Sequence, residues 1–242
     1  MKVSCFLFWR GDMIRAGFRG GCFGERLLET FFSVKDPGSV LGRAGIPIFP
    51  EQAERLALYQ ARLEHWQKAI NLVASSTLAD SARRHFLDSA QIVPLLPATE
   101  GKALVDLGSG AGFPGLVLAI LRPDLEVHLV ESDAKKCAFL QTVSRETHTP
   151  VQIYNGRIED VWHRIDADLI TARALSNFSI LLGYAAPWFA RKPDVCGFFL
   201  KGREFSREIT EAGSRWRFDV ETTPSLSERE GAVLAVKNLQ EG

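Results

Sequence analysis

A chain of 242 residues with 29 Lys and Arg against 29 Asp and Glu has no net formal charge, so no overall field draws it to nucleic acid or an anionic membrane. Its 46% hydrophobic and 24% charged residues describe a globular protein with a sizeable core, and no apolar run reaches the roughly 18–20 residues that span a bilayer. Cys5, Cys22, Cys137 and Cys196 form no C-x-x-C pair, which argues against a zinc site or disulfide framework and for a reducing cytoplasm.

The N-terminal "VSCFLFW" after Lys2 is short for a signal peptide, and Arg10 and Asp12 follow it without a cleavage site. Residues 1–45, typified by "GDMIRAGFRGGCFGERL", carry no sustained period and are expected to be a poorly ordered extension, either a basic arm or upstream sequence. From Pro50, Leu56, Tyr59, Leu63, Trp66 and Ile70 recur at spacings of three and four, which predicts one apolar helix face. A second helix is expected through "STLADSARRHFLDSAQIVPLL", capped by Ser76 or Thr77 and ending near Pro94 or Pro97. Beyond it, candidate strands at 103–107, 126–131, 151–155, 167–172, 196–201 and 232–237 alternate with helices near 114–121, 134–147 and 176–190. Such alternation predicts a mainly parallel sheet covered on both faces. The expected organisation is an extension (1–45), a helical section (46–100) and an α/β domain (101–242).

In an open α/β sheet the first strand-to-helix loop meets the ligand, and here it reads "LVDLGSGAGFPG" (104–115). Gly110-x-Gly112-x-x-Gly115 satisfies the dinucleotide fingerprint, which alone is weak evidence and keeps an NAD-binding oxidoreductase open. Asp106 favours the other reading, the Asp-x-Gly-x-Gly-x-Gly loop of S-adenosylmethionine-dependent methyltransferases. A carboxylate beside the turn is an unwelcome neighbour for pyrophosphate and suits an ammonium and a sulfonium. Gly108 and Gly110 would let backbone approach the cofactor closely. Glu131, about 20 residues on, is placed to accept from ribose hydroxyls of either cofactor.

Further along, "WQKAINLVAS" (66–75), "RRHFLDSAQIVPLL" (83–96), the Phe-Pro-Gly ending of the glycine loop, "ESDAKKCAFL" (131–140), "GRIED" (156–160), "TARAL" (171–175) and "GFFLKG" (197–202) occur in this order. Over residues 50–238 this series resembles the RsmG or GidB family, the bacterial 16S rRNA guanine-N7 methyltransferases. The departures are Gln67 for a usual Asn, Thr171 where Ser is common, and Glu131 where Asp is frequent. The resemblance implies a class I, Rossmann-like methyltransferase fold with a seven-stranded-type sheet and an N-terminal helical addition. It implies S-adenosylmethionine as cofactor and, as partner, 16S rRNA in the small ribosomal subunit, methylated at the guanine of position 527. No membrane, metal or obligate protein partner is expected.

By the same resemblance Gly108 and Phe113 contact the cofactor, Ile158 and Glu159 flank its adenine, and Arg173 lies near it. Arg83, Arg84 and His85 are expected to face RNA phosphates, and Lys201 and Arg203 sit at the strand edge where substrate belongs. Lys135 and Lys136 are ambiguous. Guanine N7 carries a lone pair and no proton, so methylation needs alignment rather than a general base. His85, Asp88 and Ser89 carry the letters of a hydrolase triad, yet they share one helix where a triad converges from separate segments. Cys137 and Cys196 lack a Pro-Cys context and are expected in the core with Trp66, Phe86 and Phe139; Trp188 and Trp216 stay unassigned. The competing readings are a small-molecule methyltransferase, the oxidoreductase, and a noncatalytic RNA-binding module that kept the loop.

Overall fold

The computed structural model describes residues 35–98 and 100–242. The expected extension therefore falls mostly outside the described residues, as do Cys5 and Cys22. Its last part is ordered, contrary to expectation: Asp36 caps helix α1 (Pro37–Arg43) by accepting from Ser39 N at 2.8 Å, and Leu41 is wholly buried. A side-chain cap followed by Pro37 at the first turn is enough to start a helix inside a Gly-rich stretch.

Helix α2 (Pro50–Trp66) buries Ala53, Leu56, Tyr59 and Leu63 on the face that the spacing predicted. It stops at Trp66, so Ile70 packs from the following turn instead. The expected second helix is broken into pieces. Helix α3 (Ser75–Leu78) begins after Ala74, and neither Ser76 nor Thr77 caps it. After a turn at Asp80, α4 (Ala82–Ala90) is π-helical through Leu87, and a 3-10 turn (Val93–Leu95) follows. A π-helical stretch admits an extra residue per turn and commonly marks a functional position.

The sheet has seven strands in the order β3-β2-β1-β4-β5-β7-β6. Strands β1 (Ala103–Leu107), β2 (Glu126–Glu131), β3 (Gln152–Asn155), β4 (Leu169–Arg173) and β5 (Cys196–Lys201) run parallel, while β7 (Ala232–Glu241) lies antiparallel between β5 and β6 (Trp216–Pro224). Helices α5 (Gly115–Leu121), α6 (Ala134–Glu146), α7 (Ile158–Val161), α8 (Phe178–Arg191) and α9 (Phe205–Ala212) make the connections. Strand β6 and helices α7 and α9 were absent from the expectation, although in β6 Trp216, Phe218 and Val220 alternate with polar residues.

One face of the sheet packs Leu56, Tyr59, Phe86, Leu116 and Phe139 into a single core, so the helical section and the sheet are built around the same buried cluster. The other face buries Phe178, Leu182, Trp188, Phe199, Trp216 and Leu234. Trp188 and Trp216 are thus core residues, their ring N–H groups donating to Ile165 O and Ser179 O. Cys137 and Cys196 are buried thiols. Among the described residues no helix is long and apolar enough to cross a membrane. Strand order reverses at β1, whose neighbours β2 and β4 lead away in opposite directions. The carboxyl ends of these strands form the crevice in which such sheets hold ligands.

Candidate functional site

The chain leaves β1 through Gly108, Gly110 and Gly112, all at positive φ (65°, 57° and 91°), a conformation open to glycine at no steric cost. Gly115 is needed for closeness: a Cβ there would lie 2.5 Å from Leu129 Cδ2 and 2.7 Å from Asp106 Cβ. Ser109 N bonds to Val130 O at 2.9 Å, which ties the loop to β2. The Phe113–Pro114 peptide is cis.

Asp106 does not face the ligand cavity, a correction to the expected role. It is fully buried, with Oδ1 accepting from Thr171 Oγ1 at 2.8 Å and Oδ2 from Gly115 N at 3.1 Å. Burial raises its pKa to about 6, against the hydrogen bonds from Thr171, Ser109 and Gly115. Its task is to clamp β1, β4 and the start of α5 together beneath the loop. The strand-end position suggested contact with a cation, but the pleat turns this side chain inward.

Like Glu159, Glu131 lines the cavity. Backbone N–H groups hold both its oxygens, Gly110 N on Oε2 and Asp133 N on Oε1, each at 2.8 Å, leaving lone pairs for a ligand's hydroxyls. The cavity has a volume of about 510 Å³ and is bounded by the glycine loop, Glu131, Ile158, Glu159, Leu72 and Arg173. Gly108, Gly110, Phe113, Glu131, Ile158, Glu159 and Arg173 therefore come together, while Asp106 does not join them. The wall from Leu72 to Thr77, and Arg157 and Lys136 at the rim, were not foreseen. Leu72 and Val73 are anchored by Gln67 Oε1, which accepts from their N–H groups at 2.9 and 3.0 Å; this gives the departure at Gln67 a definite place in the fold.

Phe113 is 3% exposed and already occupied. Tyr59 and His85 stack near it with centroids at 5.3 and 5.1 Å, and the Arg173 guanidinium lies 5.0 Å from its centroid. It supports the cavity floor rather than offering a free face for a base. His85 is likewise corrected. Burial first, then the charges of Arg173 and Arg84, push its pKa down to about 3, so it is a neutral connector and not a phosphate-facing cation. Arg173 Nη1 lies 2.9 Å from its Nδ1, which must be the acceptor; Nε2 therefore carries the proton and donates to Thr77 Oγ1 at 2.8 Å. Thr77 in turn donates to Ala74 O at 2.7 Å, which ties the cavity wall to β4.

A second cavity of about 350 Å³ shares His85, Arg173 and Ala174 with the first. Ala174 has φ 51°, an uncommon conformation for a residue with a side chain, and such backbones gather at functional sites. Asp88 lines this second space, and burial raises its pKa against the opposing pull of Arg173 and Ser227. The cations expected to meet RNA here are already paired. Arg83 holds Asp80 at 2.6 Å and donates to Ser227 O, and Arg84 faces Glu228 at 3.7 Å. Lys201, its side chain 8% exposed, binds Glu208 at 2.6 Å, while Arg203 binds Glu230 at 2.7 Å. Lys201 and Arg203 both line this second space, with Lys201 largely buried and paired there. Among the described residues no group of three or more His, Cys, Asp and Glu is arranged to hold a metal.

Residues 52–233 match the family model of GidB, rRNA small subunit methyltransferase G. The protein named Ribosomal RNA small subunit methyltransferase G of Parvibaculum lavamentivorans is 47% identical over 193 residues, covering 78% of this chain and 84% of its own. Its namesakes in Paramagnetospirillum magneticum and Caulobacter vibrioides are 46% and 42% identical, covering 85% and 84% of this chain and 97% and 94% of theirs. Among solved structures, MtNAS in complex with MTA and tNA superposes with a TM-score of 0.53 at 15% identity, over 77% of this chain and 74% of that one. A chain of the fibrillarin/NOP5P complex gives 0.50 at 14%, over 64% and 81%. At such identities these two report the fold alone.

Proposed function

The chain belongs to the GidB family, rRNA small subunit methyltransferase G, and on that premise we propose that it methylates N7 of one guanine of 16S rRNA, using S-adenosylmethionine. Its architecture is the class I, Rossmann-like methyltransferase fold. The observation that carries the reading is the pair of cavities meeting at His85, Arg173 and Ala174, one walled by the glycine loop and the other open to a second reactant.

The residues of the larger cavity fit the cofactor. Its volume lies within the roughly 300–1,000 Å³ of small-ligand sites, and it combines open backbone at Gly108 and Gly110, a carboxylate at Glu131 and an apolar edge at Ile158. Glu131 would take the ribose hydroxyls, Ile158 and Glu159 the adenine side, and the glycine loop the methionyl part. When bound, S-adenosylmethionine supplies a methyl group activated on a sulfonium.

The protein's part is to hold N7 in line with that methyl and to exclude water, which contributes up to roughly 7–11 kcal/mol in favourable cases. N7 has no proton to lose. Both ring nitrogens of His85 are engaged, by Arg173 and Thr77, so this ring is a brace and not a base. The carboxylate of Asp88, which lines the second cavity and whose Oδ2 lies a long 3.4 Å from Arg173 Nη1, favours the positive charge that grows on the base. A ribosomal RNA substrate is in keeping with an enzyme that acts in the cytoplasm. The balanced charge favours the assembled small subunit over naked RNA, since shape then supplies what general attraction does not.

Labelled methyl transfer to small subunits lacking the modification, with the labelled base identified, tests the reading. Label on one guanine N7, and less on naked 16S rRNA, is expected. Tight cofactor binding without transfer would redirect the reading to a small-molecule methyltransferase.

A further inference from the structure

The second cavity has an order of chemical groups that matches one base. Arg173 lies between the two cavities, and Asp88, which lines only the second, presents Oδ2 at 3.4 Å from Arg173 Nη1. Moving away from the cofactor cavity, the protein thus offers a donor and then an acceptor. Guanine read from N7 around its rim offers O6, an acceptor, and then N1–H and N2–H2, both donors. Resting on the guanine-N7 reading above, we propose that this cavity takes the target base itself, with Arg173 donating to O6 and Asp88 accepting from N1–H.

The remaining valences agree. Asp88 Oδ1 is filled by Ser227 Oγ and by Gln91 Nε2 at 2.9 Å, while Oδ2 has only the long bond to Arg173 among the described residues. All the hydrogen bonds of Arg173 among the described residues leave from Nη1, so Nη2 and Nε keep donors for a ligand. Adenine inverts the pattern: N6–H2 would meet the guanidinium, and the N1 lone pair would meet the carboxylate. A site built for hydrogen bonds rejects a mismatched ligand strongly, because its buried polar groups are left facing the wrong partners.

A phosphate is the poorer occupant. Arg84, Arg173, Lys201 and Arg203 in the lining each have a carboxylate partner, at 3.7, 3.4, 2.6 and 2.7 Å. A wall so balanced suits a neutral base that becomes a cation on methylation, not an anion. The third cavity, between α8 and the β6–β7 hairpin, shares no residue with the cofactor cavity.

The test compares wild type with Asp88→Asn on small subunits bearing guanine or adenine at the target position, with cofactor affinity measured by calorimetry. The amide keeps the volume and replaces one acceptor oxygen by a donor. Expected are cofactor affinity within about two-fold of wild type, transfer to guanine slowed on the order of 10- to 100-fold, and a reduced preference for guanine over adenine. An unchanged preference, or cofactor affinity falling in step with transfer, would overturn the assignment. Should the variant fail to fold, wild type decides: transfer to adenine as fast as to guanine overturns the proposal, and rejection of adenine supports it. Wild type methylating no guanine in the subunit would overturn the functional reading itself, an outcome distinct from loss of base preference.

Discussion

His85 and Asp106 are both buried, and their protonation equilibria pull stability in opposite directions. The unfolded chain binds a proton at His85 from about pH 6.5 downward, the folded chain only near pH 3, so this group's contribution is whole at pH 7 and shrinks as pH falls. Asp106 holds its proton up to about pH 6 when folded but only to 3.8 when unfolded, so its contribution fades as pH rises between those values. His85→Gln removes the first effect and leaves the second. Urea unfolding at pH 7 and pH 5 should show wild type losing about 2 kcal/mol more than the variant over that interval. Equal losses would mean that His85 titrates normally and is not the neutral brace between Thr77 and Arg173. The residue type was legible in "RRHFLDS", but its charge state was not, because neutrality comes first from burial in the fold and then from the charge of Arg173, 88 positions away in the chain.

At the scale of elements, the glycine loop and α5 are fitted to β1 and β2 with no space to spare. In Gly115→Ala the new methyl must displace Leu129 or Asp106 while Gly115 N keeps its bond to Asp106 Oδ2. Overpacking of this kind costs about 1–3 kcal/mol, seen as a lower urea midpoint with an unchanged slope. The loop and its strand were legible because glycine punctuation is local. The break in the second helix was not: "STLADSARRHFLDSAQ" carries a helical pattern, and only packing shows that it turns at Asp80 and widens over Ala82–Leu87. The bend sets Thr77 against His85 and lets the chain line both cavities. Strand β6 was equally readable by alternation, but Arg217, Asp219 and Glu221 give it the exposed look of an edge.

For the whole molecule, zero net charge and paired cations limit how RNA can be held. Lys135, Lys136 and Arg157 make no ion pair among the described residues, and the last two line the rim of the cofactor cavity. With about three phosphates neutralised, the logarithm of the RNA association constant should fall against the logarithm of salt concentration with a slope of about −3. Binding to small subunits across a salt series measures it; a slope near −8 would require a basic surface outside these residues. The sequence disclosed the α/β class and the cavity-lining Gly108, Gly110, Phe113, Glu131, Ile158, Glu159 and Arg173, since they follow strand ends. It did not disclose that Arg84 and Arg203 are matched by acids, because Glu228 and Glu230 come from a distant loop.

The antiparallel strand β7 also has a consequence for how the chain is born. Among the described residues β6 pairs only with β7, and β7 wedges between β6 and β5, so β6 has no seat until its successor has left the ribosome. The larger cavity is lined by residues no later than Tyr184, whereas the smaller needs Ser225, Ser227, Glu228 and Ala232. During synthesis the cofactor's seat is therefore complete in sequence before the target's, and the chain becomes competent for its RNA only after its final strand is threaded home.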